Sequence, residues 1–176
     1  MTEDHGVVGS NPARPTCSTN MNYAKYRDII LEDISALGSM VFFGIIFFVF
    51  MLLKNWSMSY TLLLGMAMIA IIVTILRALY FKERPEKRNF HSWIEKIDAS
   101  SFPSMHAARG TFLLLILASY MNIFALNILC GILIISICYS RWRLRKHHIS
   151  DILVGLMIGV FVFYISRNVI ETFINI

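Results

Sequence analysis

Arginines and histidines gather at three places in this 176-residue sequence, and these residue types suit the chemistry of phosphate groups. The three clusters are 77–85, 102–106 and 140–151. A guanidinium group binds a phosphate through two parallel N–H donors. An imidazole can attack a phosphoryl group, or protonate the group that leaves it. The clusters therefore predict a site for an anionic, phosphate-like substrate.

The histidines of the clusters are the candidate catalytic residues. His147 and Asp151 are four residues apart, which is about one helical turn, so the carboxylate can hold one imidazole N–H and fix the tautomer. The second ring nitrogen of His147 is then free to act as a nucleophile. His106 can protonate the leaving alkoxide or phosphate. These three residues form the predicted catalytic set.

Four further side chains are predicted to bind the phosphate. Arg77, Arg84 and Arg141 can neutralise its oxygens as charge builds in the transition state, and Ser104 can add a hydroxyl donor. The sequence around them has no H-x-x-x-H or C-x-x-C spacing, which is the kind of spacing that metal ligands show. We therefore expect a reaction that needs neither a metal ion nor another cofactor.

Three sequence motifs connect the clusters to a known family. The third cluster fits S-R-x5-H-x3-D at every fixed position, and the second fits P-S-G-H at three of four positions. The first fits K-x6-R-P, with Arg77 in place of the lysine. In this order, the motifs resemble those of the type-2 phosphatidic-acid phosphatase and vanadium haloperoxidase superfamily, and in particular its small integral-membrane lipid phosphatases. The resemblance covers about Arg77 to Asp151 and the flanking spans.

The resemblance implies a mechanism and a class of substrate. Family members work through a phosphohistidine intermediate without a metal, which gives the residues above the same roles. Their substrates include phosphatidic acid, phosphatidylglycerophosphate and polyprenyl pyrophosphates, so we expect a lipid phosphate or pyrophosphate here. Met105 stands where the family has glycine. It can supply the same backbone N–H provided that its φ is negative.

The composition predicts the elements that must position these residues. Hydrophobic residues make up 57% of the chain and charged residues 15%, and the mean hydropathy is +0.64. A soluble domain has about 25% charged residues, so the composition excludes an ordinary soluble enzyme, a disordered chain and a disulfide scaffold. It predicts an all-α fold, a polytopic membrane helix bundle with about five transmembrane helices and short interfacial helices.

Apolar stretches and polar breaks locate the predicted spans. A membrane-spanning helix needs about 20 apolar residues, and a tight hairpin at 119–122 would divide one overlong apolar stretch into two crossings. The predicted spans are 34–53, 58–80, 104–120, 122–140 and 151–170. Short interfacial helices are expected at 23–33 and around Trp93 in the polar loop.

The N-terminal segment is predicted to lie outside the functional domain. Residues 1–22 are polar and contain no apolar stretch typical of a signal peptide. We expect them to be a disordered or misassigned extension, and we expect the true start to be at Met21. Residues 23–176 would then form the membrane phosphatase domain.

Basic residues are concentrated on one side of the predicted bundle. From Lys25 onward, the side that holds the clusters carries thirteen Lys and Arg residues, against Lys54 and Arg167 on the other side. The positive-inside rule would place the clustered side in the cytoplasm, whereas many members of the resembling family have the site on the outer or lumenal face. We expect a multi-pass cell-membrane protein, with either face open for the site.

Other interpretations of the same residues stay open. A phosphohistidine can pass its phosphoryl group to an alcohol, which would make the protein a lipid phosphotransferase. A non-catalytic lipid-binding membrane subunit would need the arginines but not the histidines.

Gly155 and Gly159 form a G-x-x-x-G motif, which favours packing within the chain over a homodimer. Arg109 is expected to snorkel to the interface rather than touch the substrate. Partners other than the lipid substrate and membrane lipids, such as nucleic acid, are not expected.

Overall fold

The structure of the protein, a computed structural model, describes residues 17–86 and 92–174, and within these ranges it contains seven α-helices and no β-strand. The helices are α1 (Cys17–Ala36), α2 (Met40–Leu52), α3 (Trp56–Leu79), α4 (Trp93–Ala99), α5 (Met105–Met121), α6 (Phe124–Arg143) and α7 (Ile149–Ile174). The predicted all-α fold class is confirmed.

The helices have the lengths and the composition of a membrane bundle. Among the described residues, three helices are long and apolar enough to cross a membrane, namely α3, α6 and α7. α1 and α2 meet the same criterion as a pair that is bent by about 40°. α5 is a shorter apolar helix of 17 residues, and at 1.5 Å per residue it is about 26 Å long, close to the hydrocarbon thickness of about 30 Å. The chain is therefore a polytopic membrane protein.

Helix α5 lies at the centre of the bundle and packs against α3, α6 and α7. Its Phe112 is fully buried in a cluster with Leu62 and Ile69 of α3 and Val162 of α7. The ring occupies the space where Gly65 of α3 has no side chain, because a Cβ there would lie 2.1 Å from the ring. This close packing fixes the helix that begins in the second sequence cluster.

The first predicted span, 34–53, is not one continuous helix in the structure. α1 and α2 are separated by a turn at which Gly38 lies directly against α5, since a Cβ on it would be 2.6 Å from the backbone oxygen of His106. Ser39 then caps α2 by accepting a hydrogen bond from the Phe42 N–H at 3.2 Å. The helix predicted at the N-terminal side of this span accordingly runs on as far as the turn.

The other predicted spans lie close to α3, α5, α6 and α7, with small shifts at the ends. The turn between α5 and α6 falls at Asn122 and Ile123, whereas the predicted hairpin begins at Ser119, which is still helical. Asn122 has φ of 47°, a left-handed conformation that asparagine tolerates better than most residues. It therefore ends α5.

The two glycines of the G-x-x-x-G motif face α5 of the same chain. A Cβ on Gly155 would lie 2.5 Å from the backbone oxygen of Ser104, and a Cβ on Gly159 would lie 2.5 Å from that of Ala108. The motif thus lets α7 approach the backbone of α5 closely, which is the intrachain packing that the sequence favours.

Two predictions for the polar segments fall partly outside the described residues. Residues 1–16 belong to the predicted N-terminal extension and lie outside the described ranges, while α1 begins at Cys17. The loop predicted to contain an interfacial helix contains α4. That prediction rested on Trp93, Ile94 and Ile97; the side chains of the first two are not among those described, and that of Ile97 is half-buried.

Candidate active site

The three sequence clusters meet at one end of the bundle, where α3 and α6 end and α5 and α7 begin. Hydrogen bonds connect them directly. Arg77, from the first cluster, donates through Nη2 to the backbone oxygen of Pro103 in the second, at 3.2 Å. The N–H of Ser104 donates to the backbone oxygen of Asp151 in the third, at 2.9 Å. The fold therefore brings together segments that are far apart in the sequence.

Asp98, in the short helix α4, holds both arginines of the first cluster. Arg77 is buried in the last turn of α3, and its Nη1 lies 3.7 Å from the Asp98 carboxylate. Arg84 donates through Nη2 to the backbone oxygen of Asp98 at 2.6 Å. The Nε of Arg77 is buried and has no hydrogen-bond partner in the described part of the chain. It keeps a donor available to a bound anion.

Arg141 comes from the end of α6. It is buried, and its Nη1 donates to the hydroxyl of Ser35 in α1 at 3.0 Å. The charges of Arg141, Arg84 and Arg77 all act on His147. The three arginines predicted from the sequence thus lie close enough to this histidine to act on it electrostatically.

The start of α5 supplies further donors. Ser104 is fully buried and caps the helix, because its hydroxyl oxygen accepts a hydrogen bond from the Ala107 N–H at 3.4 Å. An α-helix has no internal acceptors for the N–H groups of its first turn, which here include those of Met105 and His106. Such a helix end attracts anions. The hydroxyl proton of Ser104 can donate to the same anion.

Met105 is compatible with the position that the family motif gives to glycine. It is the first residue of α5, and it is not among the residues with positive φ. Its side chain packs against the core cluster around Phe112. Methionine in place of the family's glycine therefore keeps the backbone N–H in position without backbone strain.

His147 is 2% exposed and its ring is held by the main chain. Its Nδ1 lies 2.6 Å from the backbone oxygen of Ser101. A carbonyl oxygen only accepts, so Nδ1 carries the proton and Nε2 has the lone pair. Burial, followed by the nearby Arg141 guanidinium, lowers the pKa of His147 to about 3, although the Ser101 hydrogen bond opposes this shift. The imidazole is therefore neutral near pH 7, as a nucleophile must be.

The predicted contact between Asp151 and His147 is wrong. The carboxylate of Asp151 is fully buried, but it accepts hydrogen bonds from the Ser101 hydroxyl at 2.5 Å, from the His148 N–H at 2.9 Å and from Lys82 Nζ at 2.6 Å. The physical reason is that His147 precedes the first residue of α7. Helical i to i+4 spacing therefore does not apply, and Asp151 turns back to cap its own helix.

Ser101 and Lys82 are site residues that the sequence interpretation missed. Ser101 accepts from His147 through its backbone and donates to Asp151 through its hydroxyl. Lys82 forms an ion pair with Asp151, and its backbone oxygen accepts from the Ser101 N–H at 2.7 Å. Lys82 lies within the first motif, and Ser101 lies directly before the second. This proximity to the motifs is the only sequence signal that the two residues belong to the site.

Arg109 does not snorkel to the interface as expected. It is 7% exposed, and its Nη1 lies 3.2 Å from the sulfur of Met40 at the start of α2. Its charge acts on both Arg77 and His106. The bend between α1 and α2 covers this part of α5 and encloses the side chain, which hydropathy alone does not predict.

The loop that carries His147 borders a groove. His147 lines a groove of about 520 Å³ together with Trp142, Arg145 and His148. No group of three or more His, Cys, Asp or Glu side chains that could hold a metal ion occurs within the described residues. The chemical groups available for an anion are therefore arginines, N–H groups, hydroxyls and imidazoles.

These features define a class of protein: a polytopic membrane helix bundle with several arginines and a neutral histidine grouped at one end. Comparison with protein families matches residues 58–174 to the family described as the PAP2 superfamily. The match includes all three clusters and more than half of the chain. The chain belongs to the PAP2 superfamily.

Solved structures provide a second comparison. The fold is similar to that in the crystal structure of Aquifex aeolicus LpxE, with a TM-score of 0.66 and 18% sequence identity over 81% of this chain and 86% of that chain. At this identity, the likeness concerns the fold. A comparison with curated protein sequences found no match. Family and fold together support a membrane phosphatase of the PAP2 type.

Proposed function

We propose that this protein is an integral-membrane phosphatase that hydrolyses lipid phosphate or pyrophosphate monoesters through a phosphohistidine at His147. The observation that carries the proposal is a neutral imidazole whose Nδ1 is held by Ser101 at 2.6 Å, in a group of arginines. Such a ring has a free Nε2 lone pair at the position where an anion is attracted. That combination suits nucleophilic attack on a phosphoryl group.

The reaction takes place in two balanced steps. In the first, Nε2 of His147 bonds to phosphorus while the bond from phosphorus to the leaving oxygen breaks. His106, which takes up a proton when the anionic substrate binds, gives that proton to the leaving oxygen. In the second, water attacks the phosphohistidine, its proton returns to His106, and inorganic phosphate leaves. His147 is restored as the neutral ring, still held by Ser101.

The remaining residues of the site stabilise charge. Arg77, Arg84 and Arg141 remain protonated, so they can neutralise the phosphoryl oxygens without a metal ion. The Ser104 hydroxyl and the N–H groups at the start of α5 add neutral donors on the same side of the site. This set is suited to the trigonal-bipyramidal arrangement of oxygens in phosphoryl transfer.

The substrate is proposed to reach the site from the membrane. The bundle would lie as a multi-pass protein in the cell membrane, with the phosphate group at the level of the helix ends and the lipid chain among the apolar helices. The side chains of α3 and α7 that face outward from the bundle, among them Leu63, Ile71 and Phe161, are apolar and exposed. Such a surface is stable in contact with lipid chains.

The proposal is tested by phosphate release from purified protein in detergent, with phosphatidic acid, phosphatidylglycerophosphate and a polyprenyl pyrophosphate as substrates and with excess EDTA present. We expect turnover to continue in EDTA, and vanadate to inhibit it as a mimic of the transition state. His147→Ala should lower turnover by at least about 10⁴-fold, as loss of a nucleophile does.

His148→Ala is the matched control, because its side chain is exposed, contacts only the backbone oxygen of Glu83 at 3.3 Å among the described residues, and reaches Asp151 through its backbone alone. It should keep turnover within about threefold of wild type. Full activity in His147→Ala, or activity that stops in EDTA and returns with Mg²⁺, would contradict the proposal. Transfer of the phosphate to an added alcohol in place of water would identify a phosphotransferase.

A further inference from the structure

Arg109 is a buried cation that the mechanism above does not use. Its Nη1 contacts only the Met40 thioether, a weak acceptor, and its Nε has no hydrogen-bond partner in the part of the chain that the structure describes. None of the ion pairs among those residues includes Arg109. Burial of a guanidinium without a counter-charge is unfavourable. An anionic ligand at this position would remove that penalty.

The position of Arg109 on α5 places it on the same side of the site as His106. It follows His106 by three residues on α5, so the two side chains share a helix face. Side chains of a helix point back toward its N-terminus, which directs the guanidinium toward the site end of α5. Its charge acts on His106 and on Arg77.

We propose that Arg109 forms a second anion subsite, on the leaving-group side, that binds the inner phosphate of a lipid diphosphate. This inference rests on the proposed function. In phosphoryl transfer the nucleophile and the leaving group lie roughly in line on opposite sides of phosphorus. With His147 as nucleophile, the leaving group is on the side of His106, where Arg109 also lies.

The bond changes explain why a cation is useful there. Nε2 of His147 bonds to the terminal phosphorus, and the bond from that phosphorus to the bridging oxygen breaks. The bridging oxygen stays with the inner phosphate, and a lipid monophosphate leaves with the additional negative charge. Arg109 neutralises this charge as it develops, and water then releases the terminal phosphate from His147. A lipid monophosphate substrate has an alcohol as its leaving group, which places no anion beside Arg109.

The test compares kcat/KM for farnesyl diphosphate and farnesyl monophosphate, which share one prenyl chain. Arg109→Gln should lose at least about tenfold more kcat/KM with the diphosphate than with the monophosphate, as expected for loss of a charged contact that strengthens in the transition state. Arg109→Lys should recover part of the difference. Arg167→Gln is the control, since Arg167 is an exposed arginine near the end of α7 away from the site, where it contacts Ser119 and Glu171. An equal loss with both substrates, or none, would overturn the subsite.

A binding measurement separates this inference from the proposed function. If the wild-type protein hydrolyses neither lipid, the phosphatase proposal fails, but the subsite can still be tested with inorganic ligands. Inorganic pyrophosphate should raise the Tm of the detergent-solubilised protein more than inorganic phosphate does, and Arg109→Gln should remove this difference. If the two ligands have equal effects on the wild-type protein, no second anion subsite exists.

Discussion

The nucleophile of the proposed reaction is positioned by the main chain. The carbonyl of Ser101 holds the His147 ring, while the Ser101 hydroxyl and Lys82 hold Asp151. Asp151 therefore affects His147 only indirectly, because it holds the segment that carries the Ser101 carbonyl. A main-chain carbonyl cannot be removed by changing the side chain, so the effects of substitutions at these residues should form a definite order.

Substitutions at Ser101 and Asp151 distinguish this arrangement from a direct carboxylate–imidazole pair. Ser101→Ala keeps the carbonyl that holds His147 and removes only the hydroxyl contact to Asp151, so it should lower kcat less than Asp151→Asn does. Asp151→Asn weakens the contacts with Lys82, Ser101 and His148 together, and should lower kcat by about 10–100-fold. Phosphate release at saturating substrate measures both. A larger loss in Ser101→Ala than in Asp151→Asn would contradict the arrangement.

The pKa of His147 predicts how stability depends on pH. Its pKa is about 3 in the folded protein and about 6.5 in an unfolded chain. The unfolded state therefore binds a proton that the folded state does not, so the stability contributed by the neutral ring is present above pH 6.5 and is lost progressively as pH falls toward 3. Between pH 7 and pH 5, the loss should be about 2 kcal/mol.

The measurement is the change in Tm between pH 7 and pH 5 for the wild-type protein and for His147→Asn in the same detergent. Asparagine does not titrate, and its amide can still donate to Ser101. The wild-type protein should lose several degrees more than the variant. Equal losses would mean that the ring is already charged, or equally exposed, in the folded state.

The residue types of the site could be predicted from the sequence, and their partners could not. The motifs identified the arginines, Ser104 and both histidines because each motif is contiguous in the chain. The acceptor for His147 comes from Ser101, 46 residues away, and depends on how α5 and α7 meet. The burial of Arg109 likewise depends on the turn between α1 and α2, which contacts α5 only in the folded bundle.

At the scale of the elements, the site depends on how closely α7 approaches the start of α5. Gly155 permits this approach, because a Cβ there would be 2.5 Å from the backbone oxygen of Ser104. The same contact region includes the hydrogen bond from the Ser104 N–H to the Asp151 backbone oxygen at 2.9 Å. A side chain at position 155 would push apart the two helices that carry the second and third clusters.

Gly155→Ala should therefore reduce both stability and activity. Overpacking of a well-packed core costs about 1–3 kcal/mol, so the Tm should fall by a few degrees and phosphate release should fall with it. Gly131→Ala on α6 is the matched control, because a Cβ there meets no atom within 4 Å. It should leave Tm unchanged or slightly higher, since alanine favours a helix more than glycine does. Equal effects of the two variants would show that the α5–α7 approach is not tight.

Hydrophobic stretches predicted most of the helices. The exception is the break between α1 and α2, and it has a physical cause. Hydropathy measures how apolar a segment is but not whether it is continuous, and the two arms of the bent α1–α2 pair meet the criterion for a membrane span when they are taken together. The break depends on the contact of Gly38 with α5 and on the cap at Ser39, which are tertiary and local polar interactions. Gly38 and Ser39 stand at this break, and Gly/Ser pairs are a known cause of helix kinks.

For the molecule as a whole, the charge distribution and the topology together predict which face of the membrane holds the site. The ends of α3 and α6 and the starts of α5 and α7 lie on the site side, together with the lysines and arginines of the three clusters. The turns at Lys54 and Asn122 lie on the opposite side. Basic loops are retained in the cytoplasm during insertion, so the charge count favours a cytoplasmic site.

Cysteine labelling from each side of the membrane tests this arrangement. Cys17, Cys130 and Cys138 are replaced first, and single cysteines are then introduced as Ser92→Cys, Arg143→Cys and Tyr120→Cys, all at exposed positions. We expect the first two to react from the same side and the third from the other, because α5 crosses the bundle between the site and the turn that follows it. Labelling of Ser92→Cys and Arg143→Cys by a reagent that cannot cross the membrane, in intact cells, would place the site on the outer face, against the charge count. If these two cysteines label from opposite sides, the three clusters cannot meet and the site described above does not exist.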